Sequence, residues 1–307
     1  MKREMIVYLV LLAVAMVAPA LLYPVFLMKA LCFALFASAF NLLLGFSGLL
    51  SFGHAAYFGF AAYVTGYAVK VLGWPTELGI LAGVAVAALL GLVIGWLAIR
   101  RQGIYFAMIT LAMSQLVYFF CLQSSFTGAE DGMQGIPRGK LLGFVDLNDD
   151  LAMYYFVLAI CVGGIALIYR VVHSPFGQIL KAIRENEPRA VSMGYAAERY
   201  KLVAFVLSAG LAGLAGSTKA VAIQLASLTD VHWHQSGEVV LMTLLGGMGT
   251  VLGPTVGAFS IISLESYLAD SAGAWVTVII GVTFVLCVLA FRRGIVGELA
   301  ARLRGPK

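Results

Sequence analysis

The stretch EVVLMTLLGGMGTVLGPTVGAFSIISLESYL, Glu238 to Leu268, decides how the chain is laid out. Its 31 largely apolar residues are too many for one membrane-crossing helix, which needs about 20. GGMGTVLGP, Gly246 to Pro254, breaks its middle. Gly246, Gly247 and Gly249 can take backbone conformations that other residues resist, and Pro254 suits the first turn of a returning helix. The spacing therefore predicts two short helices joined by a bend near the cytoplasmic side. Broken helices at depth are tolerated only where protein or water covers the freed backbone groups, so the bend should lie against a pore or a neighbouring subunit.

The rest of the chain shares this apolar character. Of its 307 residues 62% are apolar and 11% charged, and the mean hydropathy is +0.97. A soluble globular chain carries about 45–50% apolar and about 25% charged residues. One anchor helix could not raise a 307-residue average that far. The predicted fold is all-α, a polytopic helical bundle in the membrane, with residues 1–307 forming a single domain. The other runs of spanning length are Met5 to Met28, Ala30 to Phe46, Ala55 to Leu72, Leu78 to Ile99, Ile104 to Leu122, Leu151 to Tyr169, Leu202 to Ile223 and Trp275 to Phe291. The first is too long for the roughly 7–15-residue core of a signal peptide and reads as an uncleaved span.

Charge sets the count of segments. If the N-terminus is cytoplasmic, so are Arg100, Arg101 and the basic stretch from Arg170 to Lys201. Should the broken segment cross once, Arg292, Arg293, Arg302, Arg304 and Lys307 would land outside, against the positive-inside rule. With two helices the tail is inside, and 15 of the 20 Lys and Arg residues are cytoplasmic, leaving Lys29, Lys70, Arg138, Lys140 and Lys219 on the outer side. About ten membrane segments with both termini cytoplasmic are expected. The net charge of +5 thus reports topology and not a nucleic-acid surface.

Chemistry within the chain is sparse. There is no phosphate-binding loop ending in Lys-Ser or Lys-Thr, no HExxH, and no GxSxG with a plausible triad, so the chain is not expected to be an enzyme or to hydrolyse a nucleotide itself. Cys32, Cys121, Cys161 and Cys287 sit inside apolar runs and read as packing residues. His54, His173, His232 and His234 lack metal-ligand spacing. No metal and no cofactor are expected.

Two stretches outside the spans have structure of their own. The outer loop, 123–150, holds Glu130, Asp131, Asp146, Asp149 and Asp150. The inner one, 171–201, contains SPFGQILKAIREN, in which Ser174 is a good helix cap and Pro175 a good first residue. Phe176, Ile179, Leu180 and Ile183 recur at helical spacing on one face. Gln178, Lys181, Arg184 and Glu185 take the other. Glu187-Pro188 should break the helix, and Gly194 is placed to end a second short turn. Such a segment either lies at the lipid interface or docks its apolar face in a groove on a cytoplasmic partner.

These residues, from Ser-Pro-Phe-Gly through KAIRENE to Gly194-Tyr195, resemble the cytoplasmic coupling segment of LivM-type permeases of branched-chain amino acid ABC importers. The likeness extends to GLLSFGHAAYFGFAAY at 48–63, RRQGIYFAMITLAMSQ at 100–115, TGAEDGMQGIP at 127–137, YKLVAFVLSAGLAGLAG at 200–216 and GEVVLMTLLGGMGTVLGP at 237–254. It implies import of leucine, isoleucine and valine through a pore shared with a second, related permease in a bacterial inner membrane. Two cytoplasmic ATP-binding subunits and a periplasmic amino acid-binding protein would complete the complex. It also implies ATPase coupling through Pro175, Phe176, Gly177, Ile179, Leu180, Ile183, Arg184, Asn186 and Gly194.

Few polar residues lie at depth. Asn41, Thr110, Ser114 and Gln115 are candidates for a substrate pathway, though helix–helix hydrogen bonding explains them equally well. Glu130 and Asp131 are candidates for docking the binding protein. Small residues at packing spacing, Gly91 and Gly95, Gly253 and Gly257, and Gly210, Gly213 and Gly216, should let helices approach closely. The absence of a mid-span carboxylate argues against the alternative of a secondary carrier working without ATPases; a sugar permease of the same superfamily would differ only in pore chemistry.

Overall fold

The computed structural model describes residues 2–298 apart from 142, 273–275 and 291–293. Trp275, Phe291 and the basic tail residues Arg292, Arg293, Arg302, Arg304 and Lys307 lie outside the described residues. The helices are α1 (Lys2–Val17), α2 (Pro24–Asn41), α3 (His54–Lys70), α4 (Thr76–Ala98), α5 (Ile104–Gln123), α6 (Asp150–Val172), α7 (Pro175–Glu185), α8 (Glu187–Ser192), α9 (Ala197–Ile223), α10 (Trp233–Gly246), α11 (Gly253–Ala272) and α12 (Val276–Ala290). Among the described residues five helices are long and apolar enough to cross a membrane: α4, α5, α6, α9, and α2 together with the π-helical turn Leu42–Ser47 that continues it. The chain is an all-α, multi-pass membrane protein.

The N-terminal boundaries differ from expectation. No single helix runs from Met5 to Met28; α1 stops at Val17, a 3-10 turn follows at Ala18–Ala20, and Pro24 opens α2. Inside a continuing helix Pro24 would lack a donor and clash with the carbonyl four residues back, whereas in a first turn neither matters.

α2 is the axis of the bundle, buried from Leu27 to Asn41 except at Lys29. A second tight group, α3, α4 and α9, is held by small residues. Gly91 and Gly95 face Ala209 and Phe205, and Gly213 faces Ala87. Gly216 lies so close to the Phe58 carbonyl that any side chain would collide with backbone. Gly210 has no such close neighbour, its nearest being Ala88.

The broken segment folds as an antiparallel hairpin. Gly257 sits against the Met242 carbonyl and Gly246 against that of Gly253, so α10 and α11 touch backbone to backbone. Gly247 and Gly249 carry the turn with φ of 119° and 77°. Gly246 stays helical, and it is needed for the close approach and not for the bend.

α7, α8 and the 247–252 bend share one end of the bundle. At the other end the loop after α5 forms two short antiparallel pairs, β1 (Met133–Gln134) with β4 (Leu225–Ala226) and β2 (Lys140–Leu141) with β3 (Val145–Asp146). Met133 pairs with Ala226, which ties this loop to the α9–α10 link.

Candidate functional site

At the α7 end, Ser174 caps the helix as expected, its hydroxyl accepting from the Gly177 N–H at 3.4 Å. The break falls at Asn186, whose φ of −157° is extended; Glu187 and Pro188 begin α8. Asn186 caps α8 by accepting from the Arg189 N–H at 3.1 Å, and Gly194, at φ 90°, follows its end.

The apolar face of α7 is turned largely to its own bundle: Phe176 and Ile179 are half-buried, and Leu180 and Ile183 are closed off. Leu180 is 0% and Ile183 2% exposed. Ile183 packs with Ala190 and Ala197, while Phe176 stacks on Tyr200 at 5.6 Å. A small amphipathic helix next to its own bundle buries its apolar stripe there first. The outward face carries Gln178, Ala182 and Glu185, with Val191 and Met193 exposed beside it on the α8 turn.

Arg184 joins α7 to the bundle. Its guanidinium donates to the Gly45 carbonyl in the π-helical end of α2, where the unsatisfied carbonyls of a helix C-terminus attract a cation. Lys181 lies 5.7 Å above the Phe46 ring. These residues, with Glu185 and Gly249, line a cavity of about 490 Å³ between α7 and the bend.

Asn41 holds the same bend from the other side. Its Nδ2 donates to the Thr250 carbonyl at 2.8 Å, and its Oδ1 accepts from the Gly249 N–H at 2.9 Å. Both ends of the amide are used on backbone that glycine has freed from helix. Arg184, Gly45, Asn41 and Gly249 thus form a chain of contacts from α7 to the hairpin.

The other pathway candidates surround the start of α3. Thr110 accepts from the Phe52 N–H at 3.2 Å and donates to the Ala107 carbonyl at 2.9 Å. Ser51 accepts from Gly53 N–H, and Ser236 from Ala55 N–H. The Ser236 hydroxyl from α10 therefore satisfies a helix-start donor of α3 that has no intrahelical partner, while Thr110 from α5 holds the residue just before the helix cap. Ser114, one turn beyond Thr110, is buried with its hydroxyl unpaired, as is the Gln115 Nε2. His54 Nε2 lies 2.9 Å from Ser208 Oγ, which gives its own proton to the Ala39 carbonyl. The serine must then accept from the ring, placing the imidazole proton on Nε2.

At the opposite end Glu130 and Asp131 are exposed in a 3-10 turn. The nearby Asp146 carboxyl is held below its ordinary range, first by the Asn148 N–H and then by the Asn148 side chain.

Several polar contacts were not legible in the sequence. Glu187 binds Lys201 Nζ at 2.6 Å and Gln102 Nε2 at 2.9 Å, fastening α8 to α9 and to the α4–α5 turn. Arg138 is buried between Asp150, at 2.6 Å, and the Ala222 carbonyl at 2.8 Å. Lys219 and Asp230 form a buried pair at 2.7 Å. Lys29 lies 3.7 Å from Glu265. Each joins residues on different elements, and neither periodicity nor spacing reports such meetings.

Comparison with known proteins agrees with this architecture. The family model described as "Branched-chain amino acid transport system / permease component" matches residues 24–288. The chain is 28% identical over 255 residues to the high-affinity branched-chain amino acid transport system permease protein LivM of Escherichia coli K12, covering 75% of this chain and 60% of that protein. It is 24% identical over 197 residues to a probable LivM of Methanocaldococcus jannaschii, covering 62% and 56%. It is also 26% identical over 249 residues to the autoinducer 2 import system permease protein LsrC of Salmonella paratyphi B, covering 79% and 68%. The chain thus spans about three fifths of the length of the LivM proteins it matches. A family match that begins at the first residue of α2 and runs into α12 takes in the α7 segment, the Asn41 clasp and the hairpin together, and the chain belongs to the permease components of branched-chain amino acid transport systems.

Proposed function

We propose that the chain is the membrane permease subunit of an ABC importer that moves leucine, isoleucine and valine into the cytoplasm by alternating access. Its partners are a second, related permease, two cytoplasmic ATP-binding subunits and a periplasmic amino acid-binding protein. It sits in a bacterial inner membrane with about ten membrane segments and both termini cytoplasmic. The contact chain from α7 through Arg184 to Gly45, and from Asn41 to Gly249, carries the mechanistic reading. In it, displacement of α7 by closing ATPases moves the end of α2 and the α10–α11 bend together. The substrate reading follows the LivM relatives; import of autoinducer 2, named for LsrC, is the second reading.

Because Leu180 and Ile183 of the apolar face of α7 are buried, docking on the ATPases belongs to Gln178, Ala182 and Glu185. In the importer reconstituted with its ATPases and binding protein, ATP-driven leucine uptake is expected. Ala182→Arg should reduce it about tenfold, equivalent to about 1.4 kcal/mol of docking, at unchanged membrane abundance and melting temperature. Uptake at the wild-type rate would remove α7 from the coupling path. If the complex imports autoinducer 2 and no leucine, the second reading replaces the first.

Glu130 and Asp131 are proposed to meet the binding protein. Exposed carboxylates act mainly on association rate and salt dependence. The double variant Glu130→Gln, Asp131→Asn should weaken stimulation by the binding protein most at low salt. Equal stimulation of variant and wild type at low salt would dismiss the loop as a docking surface.

A further inference from the structure

The loop between α5 and α6 carries an exposed aromatic tip. β2 and β3 form a short hairpin in which the Leu147 N–H donates to the Gly139 carbonyl at 3.1 Å, and the Phe144 N–H closes the turn on the Leu141 carbonyl at 3.0 Å. Leu147 is buried at the base. At the turn Phe144 is 94% exposed, and Val145 is exposed beside it. Turns that stand in water are ordinarily built from Gly, Pro, Asn, Asp and Ser, and a phenylalanine ring left in water forgoes the free energy of burial.

The hairpin is rooted at the ends of two membrane-spanning helices. Thr76, the first residue of α4, donates to the Arg138 carbonyl at 2.6 Å, and a side chain at Gly139 would meet the same hydroxyl. Arg138 in turn donates to Asp150, the first residue of α6, at 2.6 Å. Each of these helices has 23 residues, about 34 Å at the rise of an α-helix. That just exceeds a hydrocarbon layer about 30 Å thick, so their first turns mark its edge. Leu141 is two residues beyond Gly139, and at the rise of a strand the turn it closes lies about 7 Å from the root. The headgroup layer is itself about 5–7 Å deep on each side of a bilayer. Whichever way the hairpin leans, Phe144 stays within reach of that layer.

The surface around the root is one that the spanning helices already present to lipid. Leu78 and Leu81 on the first turns of α4, and Leu151 on that of α6, are exposed. Val71, Leu72 and Trp74 are exposed in the α3–α4 link, which the same loop holds at both ends: Lys70 Nζ donates to the Gln134 carbonyl at 2.5 Å, and Thr76 to that of Arg138. Phe144 and Val145 continue this apolar surface, at the level where aromatic side chains gather in membrane proteins. Lys140, Asp146 and Asp149 are exposed charges on and next to the hairpin, and they limit its entry to headgroup depth because hydrocarbon cannot solvate them. The acidic turn with Glu130 and Asp131 lies elsewhere, against the Leu228–Asp230 turn. We propose that the Phe144 hairpin is a lipid anchor, whose ring enters the headgroup level of the bilayer and holds the α5–α6 loop to the membrane surface. The anchor needs only the membrane setting of the family; the topology proposed above enters in naming the leaflet as the outer one.

The test uses the complete importer in lipid nanodiscs, where both membrane faces are open to solutes and the orientation of the chain does not affect the result. In a cysteine-free background, Val145→Cys carries a small fluorophore beside an intact Phe144, and Glu130→Cys carries the same label as a reference in water. Without binding protein, phosphatidylcholine bearing a nitroxide on its headgroup should quench the Val145→Cys label more than the reference, and iodide should do the reverse. Adding Phe144→Ser should lower the nitroxide quenching about threefold, part of the about tenfold or more that full burial of the ring is worth, while Phe144→Tyr should retain it. Equal iodide quenching at both positions would overturn the anchor, as would nitroxide quenching that Phe144→Ser leaves unchanged. Shielding from iodide and nitroxide alike would mean that a neighbouring protein covers the hairpin, and shielding that appears only with binding protein would make it a docking surface; either would overturn the anchor. Absence of leucine uptake would count against the importer reading and leave the quenching result standing.

Discussion

Lys219→Met is expected to cost about 3–5 kcal/mol, the usual effect of removing one member of a buried ion pair. Lys219 Nζ is 2.7 Å from Asp230 Oδ2, and the two side chains are 8% and 5% exposed. Without the ammonium, a carboxylate is left where neither water nor another cation compensates it. The same carboxylate oxygen accepts from the Ser227 N–H and hydroxyl at 3.1 Å, so it cannot turn away without losing the turn that leads into α10. Against a typical stability of about 5–15 kcal/mol, the variant should melt far below wild type in detergent. Adding Asp230→Asn should recover more than half of the loss, since the amide oxygen still accepts from Ser227 but brings no charge. A double variant as unstable as the single one would show that the ammonium itself, and not charge balance, holds α9 to this link.

Ile183→Asp should be nearly as severe, through unfolding of the α7–α8 segment and not through simple uncoupling. Ile183 is 2% exposed and packs with Ala190 and Ala197. A carboxylate in that apolar contact loses its hydration with no partner in return, at about 3 kcal/mol or more. Limited proteolysis should cut the variant between α7 and α9 at protease levels that leave wild type intact. The Ala182→Arg variant should remain as resistant as wild type. Equal resistance of both would mean that Ile183 is accessible and that the apolar face does dock elsewhere.

The difference between these two substitutions shows where sequence reading stops. Recurrence of Phe176, Ile179, Leu180 and Ile183 at helical spacing identifies a stripe that must leave water, because burial of apolar area is driven by water and is indifferent to who supplies the cover. Whether the cover is a partner's groove or Tyr200, Ala190 and Ala197 of the same chain depends on how the following helix is placed. In the same way GGMGTVLGP announces a bend through glycine freedom and proline placement, both local properties. That Asn41, more than 200 residues away, holds the bend with both ends of its amide is a meeting of distant parts.

By itself the sequence determined the all-helical membrane character, the position of most helices, the cap at Ser174, the turn glycines Gly247 and Gly249, and the family blocks. All of these follow from composition, periodicity and residues acting on their own backbone. Tertiary structure alone decided what covers the apolar face of α7, and that Lys219 meets Asp230. It alone brought Lys29 of α2 to Glu265 of α11. Each of these depends on the free energy of bringing together groups far apart in the chain, and a side chain's type and local spacing say what it needs without saying which distant residue supplies it.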